Sequence, residues 1–243
     1  MYALLGFKLR KMKVGRKLAM KLLNVTKCVL GFGEADATVA PTHAIDRAML
    51  RRLAGVVDEA TVAFEQYDYA RALERTESFF WWFCDDYVEL VKSRAYATRG
   101  DDGAASARSA LARALSTLQR LFAPFLPFAS EEVWSWWQTG SVHRAQWPVT
   151  GDLVHDVDDA FGEDFIEAVC GAIGLIRRAK TEAKVSQRAE VESAVVSASA
   201  TAVAAITEGW DDIADAGSVR SWTAQTVDAN EITVDVKLAP VAE

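Results

Sequence analysis

The sequence predicts a mainly α-helical fold, with a helical bundle over residues 1–150 and a small α+β subdomain over residues 151–243. Up to about residue 150, apolar side chains recur every three to four residues, which is the period of an amphipathic helix. Segments rich in β-branched residues occur only beyond residue 190, and the last of them alternates between apolar and polar side chains. Apolar residues make up 51% of the chain and aromatic residues 10%, enough to bury a sizeable core.

Five helices are predicted in the first part of the chain. Their expected bounds are about 8–31, 41–66, 68–96 and 104–122, with a short fifth helix from residue 130. Gly31 is a residue type that ends helices, and Pro41 suits a first helical turn. Asp68 and Ser130 are residue types that cap helix N termini, so we expect them to begin the third and fifth helices. Short connections between these helices indicate a bundle.

The second part of the chain has a different pattern. Residues 150–160 are acidic and indicate a linker, and a helix is predicted over about 161–184. Three strands are expected at about 190–198, 217–226 and 231–238, with two short Ala-rich helices near 199–208 and 210–216. This mixture predicts a small α+β unit behind the bundle.

The charge of the chain is unevenly distributed. The net charge is −7, yet residues 1–30 contain eight lysines and arginines and no acid, while the remaining residues contain 19 basic and 34 acidic side chains. An acidic body with one cationic segment favours a local contact with a polyanion. The alternative interpretations are an ordinary solvated basic helix face and a disordered start of the chain.

The cationic segment has a specific geometry if it is helical. At about 100° per residue, five polar or thiol side chains fall within roughly 60° of one another. These are Arg10, Lys17, Lys21, Asn24 and Cys28. The flanking apolar residues, expected to face the bundle, are Leu18, Leu22, Val25 and Val29. Lys13 and Lys27 lie on the same helix and complete the candidate set. Lysine and arginine suit phosphates, and with asparagine they also hydrogen-bond the free edges of unpaired RNA bases.

The sequence contains none of the common catalytic motifs. There is no phosphate-binding Gly loop, no HExxH and no GxSxG. The three histidines, His43, His143 and His155, lie in separate segments without an adjacent nucleophile. Three widely spaced cysteines indicate neither a disulfide framework nor a zinc site, so a reducing cytoplasm is expected. The longest apolar run, residues 121–129, is too short to cross a membrane and holds two prolines.

Two further clusters have competing interpretations. The aromatic residues within 78–87, and Trp134, Trp136 and Trp137, are more typical of a packed core than of a base-stacking platform. The carboxylates Asp85, Asp86 and Glu89 are more typical of a charged helix face, with Glu89 near Lys92, than of a metal site. A helix-bundle di-iron site needs Glu-x-x-His on two helices, and the sequence has no such pair.

Four segments carry a family resemblance. They are KVGRKLAMKLLNVTKCVL (13–30), YDYARALERTESFFWWFCDDYVELVKSRAY (67–96), RLFAPFLPFASEEVWS (120–135) and HRAQWP (143–148). In this order and spacing they resemble the anticodon-binding region of class I aminoacyl-tRNA synthetases, most closely the valyl branch. The FCDxYxE pattern of residues 83–89 points to that branch. The segment IRRAKTEAKVS (176–186) and the β-rich tail also resemble the region after the bundle in valyl enzymes.

The resemblance implies a bundle that reads the anticodon of valine tRNA, whose two invariable bases are A and C. Matched residue by residue, the contacts are Arg10, Lys21 with Asn24, and Cys28, where the family often has an aromatic residue. The nucleotide-binding and editing signatures of a working ligase are absent, so we expect the chain alone to be inactive. It should hold no cofactor, because ATP and Mg²⁺ belong to the catalytic part. Expected partners are tRNA and that catalytic part. The alternative is a structural or interaction fragment that does not bind RNA.

Overall fold

The structure, a computed structural model, describes residues 2–36, 39–98, 100–154, 163–229 and 231–240; in the first helix, side chains are described from Gly15 onward. The helices of the first part are α1 (Tyr2–Leu30), α2 (Ala44–Glu65), α3 (Tyr69–Trp82), α4 (Val88–Ala95), α5 (Asp101–Phe122) and α6 (Pro127–Ser135). A π-helical turn, Phe83–Tyr87, joins α3 to α4. Two 3₁₀ turns follow, Val142–Arg144 and Thr150–Asp152.

The second part contains three further helices and a three-stranded sheet. Its elements are α7 (Glu163–Glu182), β1 (Val191–Ala198), α8 (Ala200–Glu208), α9 (Trp210–Gly217), β2 (Trp222–Thr226) and β3 (Thr233–Leu238). Strand β1 lies in the middle, parallel to β2 and antiparallel to β3, with Ala194 opposite both Trp222 and Val236. The mainly α fold with a small α+β part is therefore confirmed.

One hydrophobic core runs through both parts of the chain. Leu22 of α1 and Leu53 of α2 belong to the same buried cluster as Ile173 of α7 and Val196 of β1. This continuity means that helix α7 and the sheet complete the core of the bundle. The division at residue 150 stays a prediction about domains.

A buried charged network ties α9 to the bundle. The guanidinium of Arg94 in α4 contacts Asp46 of α2 at 2.7 Å and Asp212 of α9 at 2.8 Å. Asp46 also accepts hydrogen bonds from the Tyr87 hydroxyl at 2.8 Å and the Ser106 hydroxyl at 2.6 Å. Burial by itself would raise the pKa of Asp46, but its bonds to Arg94 outweigh burial and lower that pKa. Burial raises the pKa of Asp212 despite the same arginine.

Most predicted helices are confirmed, and the aromatic cluster packs as core. Asp68 caps α3, because its carboxylate accepts a hydrogen bond from the Arg71 backbone N–H at 3.1 Å. Phe80 is buried edge-to-face on Phe122, with the ring centroids 5.1 Å apart. The other buried aromatic residues of the cluster are Phe79, Phe83 and Tyr87.

The predicted start of the fifth helix is wrong. Helix α6 begins at Pro127, whose missing N–H and fixed φ suit a first turn, and Ser130 lies inside the helix with its N–H bonded to the Leu126 carbonyl. The expectation that Trp136 belongs to the core is also wrong. Its side chain is exposed beyond the end of α6, and its indole N–H donates to Glu132 at 3.0 Å.

Several other boundaries differ from the prediction. Helix α2 begins at Ala44, so Pro41 precedes the helix instead of forming its first turn, and α5 begins at Asp101, three residues earlier than predicted. Helix α1 begins at Tyr2, earlier than the predicted residue 8. The predicted helix 68–96 is interrupted by the π-helical turn. The second strand is shorter than predicted because Gly217 still belongs to α9 and Ser218 takes a left-handed conformation with φ of 49°. Of the predicted linker, residues 150–152 form a 3₁₀ turn, and residues 155–160 lie outside the described residues.

Candidate nucleic-acid interface

Helix α1 buries one side and exposes the other, as predicted. The buried apolar side chains described on this helix are Leu18, Leu22, Val25 and Val29, each at most 6% exposed. Their three-to-four spacing places them along one stripe against the bundle. Arg10 and Lys13 belong to α1 by backbone, but their side chains lie outside the described residues.

The cationic edge of α1 comprises Lys17, Lys21 and Asn24, and Lys27 adds a cation about 80° from Lys17 around the exposed side of the helix. Lys17, Asn24 and Lys27 are exposed. Among the residues that the structure describes, neither Lys17 nor Lys27 has an ion-pair partner. Two ammonium groups without counter-charges and one amide therefore face solvent along the helix. Such groups suit phosphate oxygens and base edges.

Lys21 differs from its neighbours on the cationic edge because it is paired. Its ammonium lies 2.6 Å from Asp85 Oδ1, with the Lys21 side chain 30% exposed and that of Asp85 58% exposed. The same nitrogen lies 5.7 Å from the centre of the Trp81 ring, within range of a cation–π interaction. Burial lowers the pKa of Lys21, but the hydrogen bond and charge of Asp85 outweigh burial and raise it. Lys21 is therefore a fixed cation at neutral pH.

The π-helical turn determines where Asp85 lies. A π-helical turn carries i→i+5 hydrogen bonds and inserts an additional residue into a helix, which rotates the residues that follow around the axis. Phe83, Cys84 and Tyr87 of this turn are buried, while Asp85 remains exposed beside α1. Such turns occur frequently at functional sites.

Cys28 extends the interface toward the C-terminal end of α1. Its side chain is half-buried, and burial raises the pKa of the thiol, with Lys92 and Glu89 close enough to influence it electrostatically. Cys28 is thus an uncharged, small side chain. It provides no ring on which a base could stack.

Tyr96 is an aromatic side chain in this region that sequence reasoning missed. It follows α4, one turn after Lys92, and packs edge-to-face on Phe32 with ring centroids 4.8 Å apart. Its side chain is 52% exposed. Phe32 lies two residues after the end of α1, so Tyr96 packs close to the end of that helix. The sequence placed Tyr96 at the end of a helix, but no local pattern links it to α1.

The remaining sequence candidates have ordinary structural roles. Glu89 and Lys92 form the expected ion pair at 3.3 Å. The ring of His143 shares a hydrogen bond with the Pro127 carbonyl at 3.1 Å, and His155 lies outside the described residues. Within the described ranges, no group of three or more His, Cys, Asp or Glu side chains is placed to hold a metal ion. No helix searched in those ranges is long and apolar enough to span a bilayer.

The geometry defines a mainly helical bundle whose first helix presents a cationic edge beside an exposed tyrosine. The family described as the anticodon-binding domain of tRNA ligase matches residues 46–196, more than half of the chain. The chain belongs to this family of anticodon-binding domains.

Comparison with whole proteins shows that the chain is similar in sequence to part of several valine–tRNA ligases. The chain is 49% identical over 234 residues to the valine–tRNA ligase of Thermobifida fusca, covering 95% of this chain and 26% of that protein. It is 48% identical to the valine–tRNA ligase of Salinispora arenicola, covering 97% of this chain and 28% of the relative. It is 47% identical to the valine–tRNA ligase of Cutibacterium acnes, covering 88% of this chain and 24% of that protein. The chain spans about a quarter of the length of these relatives.

Proposed function

We propose that this chain binds the anticodon stem-loop of valine tRNA and that the cationic edge of α1 is the contact surface. The observation that supports this most is that Lys17 and Lys27 are exposed and have no ion-pair partner among the described residues, on a helix whose opposite side is buried. The relatives named valine–tRNA ligase supply the choice of tRNA.

The binding mode follows from the chemistry of the edge. Lys17 and Lys27 attract the backbone phosphates, and Asn24 offers both a donor and an acceptor to a base edge. Tyr96 supplies a stacking surface at the end of α1, where Cys28 has none. Arg10 and Lys13 extend the same helix and add cations before the described side chains begin. Since the chain as a whole carries a net charge of −7, RNA is attracted to this edge and repelled elsewhere.

The proposed activity is binding alone. It uses no cofactor. Aminoacylation would require the catalytic part of a longer ligase, which is the second proposed partner and would hold the ATP and Mg²⁺. Incubation of this chain with ATP, valine and tRNA should therefore yield no charged tRNA.

The test is a fluorescence-anisotropy titration of a labelled valine anticodon stem-loop at low and moderate salt. A stem-loop with a changed middle anticodon base is the RNA control. We expect salt-sensitive binding that weakens when the base is changed. Equal binding to both loops would indicate phosphate attraction without anticodon reading. Absence of binding to either loop would favour the alternative of an interaction fragment.

Two variants locate the surface. Lys17→Ala should weaken binding and reduce the slope of log K against log salt by about 0.7, the value for one single-strand phosphate contact. Arg188→Ala removes an exposed cation between α7 and β1 and should change neither quantity. Equal losses in both variants would show that binding does not depend on α1.

A further inference from the structure

We propose that Lys21 and Asp85 together read the edge of one anticodon base, and that the pair selects a base with an amino group beside an unprotonated ring nitrogen. Cytosine and adenine are the two such bases. This inference rests on the proposed function and names the residue, Asp85, that gives the cationic edge its base selectivity.

The first argument is charge. With the Lys21 ammonium 2.6 Å from the Asp85 carboxylate, the pair is neutral as a unit, and its carboxylate repels phosphate. Lys17 and Lys27 on the same helix have no such partner among the described residues. One helix therefore carries two kinds of lysine, of which the free ones suit the RNA backbone. The paired lysine is suited to an uncharged group that offers both a donor and an acceptor.

The second argument is that both members keep unused hydrogen-bonding capacity. An ammonium has three donors and a carboxylate has two acceptor oxygens, and the recorded contact joins only Lys21 Nζ to Asp85 Oδ1. The Asp85 side chain is 58% exposed, so a base edge can reach it. In the described part of the chain, Asp85 has no second ion-pair partner. The pair thus offers a donor and an acceptor side by side, which is the pattern of a base edge.

The third argument is the fixed spatial order of the donor and the acceptor. Lys21 comes from α1 and Asp85 from the π-helical turn, so the donor always lies on the α1 side and the acceptor on the other. Cytosine presents its N4 amino group beside N3, and adenine presents its N6 amino group beside N1. Uracil and guanine present the reverse, a carbonyl beside a ring N–H. A strand held along α1 by its phosphates enters with fixed polarity, so a reversed base would place its carbonyl against the Asp85 carboxylate.

Contacts with neighbouring groups restrain both members of the pair. The Lys21 ammonium lies over the Trp81 ring, whose indole N–H donates to Glu77 at 3.1 Å. The turn that carries Asp85 is anchored by buried Phe83 and Tyr87. Fixed donors and acceptors penalise a mismatched base because its polar atoms are left unpaired.

The experiment measures discrimination and salt dependence separately, using the full chain. Three labelled stem-loops serve as probes: the valine anticodon loop, the same loop with its invariable C changed to U, and the same loop with its invariable A changed to G. We expect wild-type protein to disfavour at least one changed loop by about tenfold or more, the value of one well-formed two-point base contact. Asp85→Asn should reduce that ratio to near one, because the amide can rotate to offer either a donor or an acceptor. It should also steepen the salt slope, since Lys21 is freed to attract phosphate.

A charge exchange excludes a merely structural role. The double variant K21D/D85K retains an ion pair but reverses the positions of donor and acceptor, so its preference should move toward U or G at the position read. Lys17→Ala is the matched control on the same helix and should lose affinity and salt slope while keeping the wild-type ratio. Circular dichroism should show unchanged helix content in all variants, because Asp85 and Lys17 are exposed.

The outcomes separate this inference from the proposed function. If wild-type protein discriminates among the loops and both Asp85→Asn and K21D/D85K keep its ratio, the pair does not read a base, although the chain still binds the anticodon. If wild-type protein binds none of the loops, the proposed function itself fails.

Discussion

Replacing Arg94 with methionine should destabilise the protein more than any surface substitution, because its guanidinium pairs with two buried carboxylates. Asp46 is completely buried and Asp212 is 4% exposed. The arginine donates to both of them, and its Nη1 also donates to the Gly103 carbonyl at 3.2 Å. Methionine fills much of the same volume but leaves two buried acids without a counter-charge. The cost of removing one partner of a buried pair is about 3–5 kcal/mol.

The free energy of unfolding that Arg94→Met loses should depend on pH, and the pKa shifts of the two acids determine the direction. In the wild-type protein, Arg94 lowers the pKa of Asp46, so this carboxylate stabilises the fold above its unfolded pKa of about 4 and loses that contribution as pH falls through the folded pKa. Without Arg94 the largest influence opposing burial is lost, so burial raises the pKa values of both acids in the folded state, against the weaker effects of Ser106 and Tyr87 on Asp46 and of His43 on Asp212. The variant then loses stability as pH rises above about 4. The difference between variant and wild type should therefore be larger at pH 7 than at pH 5.

Urea unfolding followed by tryptophan fluorescence at both pH values measures this difference. Arg178→Met is the matched control, since Arg178 is 74% exposed and pairs with Glu182 only one turn away, a contact worth about 0.5 kcal/mol or less. A loss below about 1 kcal/mol for Arg94→Met at pH 7, or a loss equal at the two pH values, would refute the argument that the network stabilises the junction of α4 with α9.

Three smaller predictions concern single positions. Gly103→Ala should destabilise the fold by about 1–3 kcal/mol, because the new Cβ would lie 2.9 Å from Arg94 Cδ. Gly55→Ala in α2 meets nothing within 4 Å and should stabilise the fold by about 0.5–1 kcal/mol. Thermal unfolding of the two variants should therefore show shifts of opposite sign. Tyr96→Ala should weaken stem-loop binding by about 1–3 kcal/mol while Tyr96→Phe retains it, and equal anisotropy curves for wild type and Tyr96→Ala would exclude stacking. Lys180→Met should cost about 1–3 kcal/mol in urea unfolding, because the buried ammonium donates to the Gly217 carbonyl at 2.7 Å, and a stable variant would contradict that role.

Local sequence patterns predict the helices whose buried face repeats regularly. In α1 and α2 the apolar residues fall every three to four positions, and each buries a side chain against the same core, so the pattern and the packing agree. The clean alternation over β3 likewise matches its burial, which changes at every residue. The position of β1 between β2 and β3 has no such local signature, because strand order depends on how α8 and α9 cross over.

The features that the sequence missed depend on contacts between distant segments. The π-helical turn leaves Phe83 and Tyr87 four residues apart, a spacing that an ordinary α-helix shares, so periodicity alone cannot distinguish the two. Arg94 looks like one more charge near a helix end, and only its buried partners, 48 and 118 residues away in sequence, explain its position. Ser130 is a common cap residue, yet Pro127 three residues earlier begins the helix instead.

The charge of the cationic edge is the clearest feature that depends on a contact between distant segments and that sequence alone does not reveal. Counting along the chain gives an acid-free segment over residues 1–30, which suggests that every cation there is available to phosphate. The fold brings Asp85, 64 residues from Lys21, against that segment and neutralises one of its lysines. Under the proposed function, a sequence count therefore overestimates the number of lysines that contact phosphate, because it includes Lys21. If the pairing is functional, removing Lys21 should change which RNA is bound more than how strongly salt weakens binding, and removing Lys27 should do the opposite.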